Sequence, residues 1–387
     1  MTNYINDIPY FVSTIKSLAD TIITNIVLIG QVPSPTFEEH GRADALLERL
    51  SESGVEQCTT DSIGNPVGII KGGNPEKPPI FVVAHLDTVV DREVDHNYTV
   101  KKNTLSGAGL LDNSIGIGVL ASLPDIFKAC DLSFASDIVL AGVVRSIGKG
   151  NLEGINTLLG NWKTPIRGGV CVEGRELGRL SYSSEGVKRC DITCSVGTGS
   201  RSRHRMPPNA ILVLNEIINQ ILELRLPQRP LTRVILGRIT GGSKHGVIAH
   251  TARLGFEIQS DSAEMVKSVY SDIKDIVDGA GHEFQVSMRL KSITEQAPSR
   301  LTFSHPLVKA TVEVMKKLKI DPVNMPSESE LSAFLSRRIP AVTLGITHGE
   351  ESFVPEEAKA RIEPMFKGIA QIVAVIRAMD SGVCDDN

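Results

Sequence analysis

An alternation of short, almost wholly apolar runs with a segment of helical period narrows the possible folds more than any other feature. Pro66 to Ile70, Ile80 to Ala84 and Ile138 to Val144 are rich in Val and Ile and are bounded by Gly, Pro or charged turns. That is the pattern of strands buried on both faces. Between them, Ser114 to Phe127 repeats its apolar residues at helical spacing, so an α/β domain around a central mixed sheet is expected. Ahead of these runs, residues 7 to 30 have the period of one helix. The proline-broken loop Gln31 to Glu39 follows, with Thr36 placed to cap a helix carrying Ala43, Leu46, Leu47 and Leu50.

From about Gly186 the pattern changes to strand (Arg189 to Val196), helix (Ala210 to Glu223), strands (Thr232 to Ile239 and Arg253 to Gln259), helix (Ala263 to Val277) and strand (His282 to Leu290). The order β-α-β-β-α-β is that of a ferredoxin-like α+β unit. After Pro298, the helix Pro306 to Leu318, the strand Ala341 to Gly345 and the helix Pro364 to Met379 can rejoin the first sheet. The expected domains are therefore 1–185 with 297–387, and an insert at 186–296. Two domains also suit 387 residues, since single cores stop growing at about 250 to 300.

With 41% hydrophobic and 22% charged residues, the chain is globular rather than disordered. A formal net charge of -4 gives no basic surface for nucleic acid or an anionic membrane, which leaves small molecules and proteins as partners. No apolar run comes close to the roughly 20 residues of a membrane helix, and the N-terminus has no basic start or cleavage site of a signal peptide. A cytoplasmic location is expected. The six cysteines lack CxxC pairs, unlike a disulfide framework, and Cys190 and Cys194 are expected to be buried thiols on one face of a strand.

The chemistry concentrates in Phe81-Val-Val-Ala-His-Leu-Asp-Thr-Val89, where a buried strand ends in His85 and Asp87. An imidazole at a strand end with a carboxylate two residues on suits a metal ligand oriented by its neighbour. Gly107-Ala-Gly-Leu-Leu-Asp-Asn-Ser-Ile-Gly116 places Asp112 in a glycine-flanked loop before a helix, and Gly169-Val-Cys-Val-Glu-Gly-Arg175 puts Glu173 after an apolar strand. One His and two carboxylates are a plausible zinc set with an open position. Singly, each has a plain structural alternative: a satisfied polar residue, a helix cap and a solvated carboxylate.

Together with Val32-Pro-Ser-Pro-Thr-Phe-Glu-Glu39, Asp61-Ser-Ile-Gly-Asn-Pro66, Gly148-Lys-Gly-Asn-Leu-Glu-Gly154, Gly241-Gly-Ser243 and Ile339-Pro-Ala-Val-Thr-Leu-Gly345, these segments fall in an order that resembles the co-catalytic zinc metallohydrolases. That family includes carboxypeptidase G, aminoacylase, peptidase T, acetylornithine deacetylase and succinyl-diaminopimelate desuccinylase. The resemblance implies a mixed-sheet α/β/α peptidase-like domain with an inserted ferredoxin-like lid and dimerisation domain. It also implies His85, Asp112 and Glu173 as the protein ligands of one metal, with Asp87 in a catalytic supporting role.

The same resemblance exposes gaps. The family's general base and a ligand of its second metal fall at Ser146 and Ile147, its C-terminal metal histidine at Phe353, and its substrate-binding asparagine and arginine at Gly246 and Gln259. Serine has no carboxylate to take a proton, and isoleucine and phenylalanine have no lone pair for a metal. The family's insert-domain histidine falls at Ser200 or Arg201, within Gly197-Thr-Gly-Ser-Arg-Ser-Arg-His-Arg205, where an anion-binding loop and a solvated basic loop are both open. Glu330 stands where the family often has an aspartate and is a weak substrate-binding candidate. The expectation is a pseudoenzyme holding at most one zinc, as a homodimer or as a heterodimer with an active relative. The alternative is a one-zinc amidohydrolase with His348, Glu350 or Glu351 as relocated base.

Overall fold

The computed structural model describes residues 4–197, 208–327, 329–350 and 358–385. They form two compact units, 1–184 with 300–387 and 185–299. Unit 1 begins with helices α1 (Ile8–Ser17), α2 (Ala19–Gly30) and α3 (His40–Glu52). Strands β1 (Gln57–Thr60), β2 (Pro66–Ile70), β3 (Ile80–His85), β4 (Thr99–Lys101) and β5 (Thr104–Ser106) follow, then helix α4 (Ile115–Ala129). Next come β6 (Ile138–Val143), α5 (Glu153–Asn161), β7 (Gly168–Glu173), β8 (Arg179–Ser181) and β9 (Ser183–Ser184).

Unit 2 is built from β10 (Gly186–Ser195), α6 (Ala210–Leu222), β11 (Thr232–Gly241), β12 (Thr251–Ser260), α7 (Ala263–Phe284) and β13 (Ser287–Gln296). Beyond β14 (Ser299–Arg300), unit 1 resumes with α8 (Pro306–Lys317), β15 (Val323–Asn324), α9 (Leu331–Ser336), β16 (Ala341–Gly345), β17 (Gly349–Glu350), β18 (Lys359–Arg361) and α10 (Ile362–Asp380).

The main sheet of unit 1 runs β1-β2-β6-β3-β7-β16-β8-β15. Its centre is parallel, β3 pairing with β6 and β7, and β16 with β7. Alternation along the strands separates two cores. Ile80, Val82 and Ala84 join Leu140, Val172 and Leu344 against α1, α2, α4 and α10, while Phe81 and Val83 join Val139, Ala141, Ile155 and Phe334 on the other face. Phe81 packs edge-on to Trp162, with ring centroids 4.8 Å apart. In this parallel array β3, β6 and β7 end on the same side, which gathers His85, the segment after Val143, and Glu173.

Unit 2 is a four-stranded antiparallel sheet, β11-β12-β10-β13, with α6 and α7 packed on it. Cys190 and Cys194 lie in its core as expected, and burial pushes the Cys190 thiol up to about 11.

Four local expectations fail for identifiable reasons. The helix expected over residues 7 to 30 is two helices bent by 65°. Leu18, at φ -95 and ψ 14, leaves the helical region between them, and the bend lets both apolar faces reach the core. The strand expected from His282 starts at Ser287, because α7 continues to Phe284 and stops only where Gln285 turns left-handed, at φ 53. Leu110–Ala129 does have the length and apolar character of a membrane span, but 89% of its most apolar 18-residue stretch is buried, as in the core helix of a globular unit. Thr36 caps no helix; its hydroxyl donates to Asp87 Oδ2 at 2.9 Å.

Arg42 ties α3 to this framework. Fully buried, its guanidinium donates to the carbonyl oxygens of Gly30, Val32 and Leu86 at 2.8 to 3.1 Å. Replacing it strands three carbonyl acceptors, two of them buried, and opens a cavity. Arg42→Ala should lower stability by about 3 to 5 kcal/mol, as for other broken buried charged contacts. Denaturant unfolding followed through Trp162, the single tryptophan, reports on unit 1 alone. Arg42→Lys, which cannot span three carbonyls, should recover only part of the loss.

Candidate metal centre

The centre is built at the ends of β3 and β7 and at the loop before α4. His85 is the last residue of β3, and its Nδ1–H donates to the backbone oxygen of Asp87 at 2.9 Å. A carbonyl only accepts, so Nδ1 carries a proton, and Nε2 is the ring atom that faces the centre and would ligate a metal once its own proton is given up. Nε2 lies 3.0 Å from Asp112 Oδ1. His85, Asp112 and Glu173 each offer a donor atom, and these atoms all lie within 4.8 Å of one another.

Asp87 is fully buried and holds three segments together. Its carboxylate accepts from the backbone N–H of Ser146 at 3.1 Å, from that of Ile147 at 2.8 Å and from the Thr36 hydroxyl. Burial opposes its charge, but the imidazole of His85 and these donors hold its pKa below the usual carboxylate range.

Asn113, unremarked in the sequence, turns out to be the hinge of the site. Fully buried, its Nδ2 donates to the carbonyl of Val172 at 2.7 Å, and its Oδ1 accepts from the N–H groups of Gly174 at 2.8 Å and Gly116 at 3.2 Å. It thereby pins the Asp112 loop to the end of β7 that carries Glu173. Only glycine fits at 116, where a Cβ would come within 2.3 Å of the Asn113 side chain. The available signal was an amide next to a candidate ligand in a glycine-flanked loop.

Glu173 is buried, and Ser329 Oγ donates to its Oε1 at 3.0 Å. Burial pushes its pKa up; His85 works against this, while the carboxylates of Asp112 and Glu330 add to it. For His85, burial disfavours the charged ring, yet hydrogen bonds to Asp112 and Asp87 outweigh burial and hold the imidazole well above its ordinary value. Several buried carboxylates around one imidazole make a field that calls for a cation. The donor set fits one metal ion with an open position.

At the positions to which the resemblance assigns the second metal's donors, the side chains are of another character. Ser146 Oγ donates to Glu330 Oε1 at 2.7 Å, both residues being buried. Glu330 is therefore packed inside the centre, bonded to Ser146, rather than displayed on an open substrate surface. Ile147 meets Asp87 through its backbone N–H and brings hydrocarbon beyond it. His348 and Glu350 are exposed and outside the donor cluster, not folded inward as a relocated base requires. Phe353, Glu351, Ser200 and Arg201 lie outside the described residues. In unit 2, Gly246 is left-handed at φ 74 with open space around it, and the buried Gln259 accepts from Arg233 Nε.

A family model for the M20 peptidase dimerisation domain matches residues 182–285. Among solved structures, a tripeptidase from Staphylococcus aureus superposes with a TM-score of 0.75 at 17% identity, over 94% of this chain and 99% of that one. The chain has the M20 peptidase fold. The dipeptidase Dug1p of Saccharomyces cerevisiae matches with a TM-score of 0.75 at 13% identity, over 97% of this chain and 98% of its own. YXEP of Bacillus subtilis, described as a dinuclear metal binding peptidase of the M20 family, matches with a TM-score of 0.65 at 14% identity, over 94% and 99% of the two chains. No curated protein matches the sequence significantly. Within the M20 peptidase fold, unit 1 carries the candidate metal centre and unit 2 contains most of the dimerisation domain.

If Asn113 sets the spacing of the ligands, Asn113→Ala should weaken zinc binding about 10- to 100-fold, the usual cost of losing a group that orients metal ligands. Competition with a chromogenic chelator measures it. Unchanged affinity in a folded variant would show that Asp112 and Glu173 hold their places without it.

Proposed function

We propose that the protein is a metal-binding relative of the M20 peptidases that has lost amide hydrolysis and acts as a dimeric pseudoenzyme. Its ligand-binding or regulatory role would rest on one zinc ion held by His85, Asp112 and Glu173. The observation that carries this reading is the Ser146–Glu330 hydrogen bond. At the position that resemblance assigns to the general base, the only functional group is a hydroxyl already donating its proton elsewhere.

When bound, the ion would supply Lewis acidity to a ligand at its open position. The chain's own contribution is positional. Asp87 fixes the ring of His85 through its backbone oxygen, Asn113 spaces Asp112 from Glu173, and Ser329 orients Glu173. None of these three supplies a mobile base beside the open position. Losing a general base alone costs about 10²- to 10⁴-fold in rate. Turnover of dipeptides, tripeptides and N-acyl amino acids by the zinc-loaded protein should therefore stay below about 0.01 s⁻¹, far under ordinary enzymes. A turnover of about 1 s⁻¹ or faster overturns this reading.

The 2.7 Å contact also supports a second reading, in which Glu330 draws a proton through the Ser146 hydroxyl and serves as the relocated base. Such activity would vanish in both Ser146→Ala and Glu330→Gln. Activity that persists in both would leave this route without support.

Homodimerisation through unit 2 is supported by the match to the dimerisation domain. Both edges of its sheet, β11 and β13, lack a strand partner among the described residues, and such edges invite pairing. Light scattering should give the mass of two 41.8 kDa chains. A monomer at micromolar concentration, together with failure to co-purify an active relative, would contradict this assembly.

A further inference from the structure

Unit 1 holds a cavity of about 540 Å³, which no residue of the metal centre lines. Its apolar walls come from Val12 of α1, Leu177 after β7, Ile320 after α8, and Phe366 of α10. Around them stand Lys16, Lys319, Lys367 and His348, with the carboxylates of Asp321 and Glu363. Small-molecule sites fall in the range of about 300 to 1,000 Å³, with apolar walls and a few convergent polar groups.

The charges are not balanced. Glu363 is engaged by Lys16, whose Nζ lies 2.8 Å from its Oε1. Among the described residues neither Lys319 nor Lys367 has an ion-pair partner, and Asp321 is the one lining carboxylate not engaged by Lys16.

Local structure explains these lysines only in part: the dipole of α8 favours a cation past its C-terminus, but the backbone there does not favour a side chain. Lys319 follows the end of α8 at φ 57, a left-handed position that favours glycine because a Cβ crowds the backbone. Lys367 lies near the start of α10, where the helix dipole gives a cation no support. Both are exposed residues that line the cavity beside its apolar walls.

We propose that this cavity binds a small carboxylate with an apolar body, such as an aryl or branched-alkyl acid. The carboxylate lies between Lys319 and Lys367, His348 offers a further ring N–H, and the hydrocarbon rests on Leu177, Ile320 and Phe366. The site is separate from the metal centre and does not depend on the function proposed for it.

Calorimetric titration of the full chain with phenylacetate tests this, in EDTA so that no metal ion can take the carboxylate. Saturable binding is expected, weaker by about tenfold or more for the neutral phenylacetamide and for Lys319→Gln/Lys367→Gln, because a charge-assisted contact is lost. Lys319→Gly supplies a second readout: relief of the left-handed backbone should raise Tm while binding weakens. No binding of phenylacetate up to about 10 mM, near the weak limit of measurable affinity, overturns the proposal. Equal binding of acid and amide, or a Lys319→Gly variant that is more stable and binds unchanged, does so as well.

Discussion

The candidate centre depends on the carboxylate of Asp87. It sits two residues beyond the end of β3, and its two oxygens collect a hydroxyl from the loop before α3 and two backbone N–H groups from the segment after β6. Its own backbone oxygen fixes the imidazole of His85. A buried carboxylate left without donors would cost several kcal/mol. Satisfying it forces the loop containing Thr36, the end of β3 and residues 146–147 into one arrangement. The placement of Ser146 and Ile147 follows from their backbone, whatever their side chains are.

That separation of backbone from side chain lets the side chains at 146 and 147 differ while the shape of the site is kept. The N–H groups of residues 146 and 147 still bind Asp87, so the architecture survives, while the side chains carry a hydroxyl and a hydrocarbon. The hydroxyl turns to Glu330, giving both buried groups a hydrogen-bond partner. An unpaired carboxylate at 330 would be costly in this setting. The trio of His85, Asp112 and Glu173 keeps its own supports in Asn113 and Ser329, which do not pass through residues 146 and 147.

Much of this was legible in the sequence. The Val and Ile runs of β2, β3 and β6 announce buried strands because each must be apolar on both faces, and β16 begins and ends where its apolar run does. His85, Asp112 and Glu173 could be picked out because strand ends and glycine-rich loops are where side chains leave the backbone ladder. The break at Leu18 was hidden, since both halves keep an apolar period and nothing local breaks the helix. The Ser146–Glu330 bond joins residues 184 apart, and the role of Asn113 depends on β7, some 60 residues on. Contacts of that reach are set by the folded sheet, and a single sequence shows only their end points.

The number of metal ions per chain tests the central claim most directly. Elemental analysis by mass spectrometry, after zinc loading and removal of excess metal, should give one equivalent, held by the imidazole and two carboxylates at the ends of β3 and β7. Two equivalents would contradict the account, because they would require donors that Ser146 and Ile147 do not supply. No metal at all would contradict it equally, since the surviving trio would then be a relic of shape without binding.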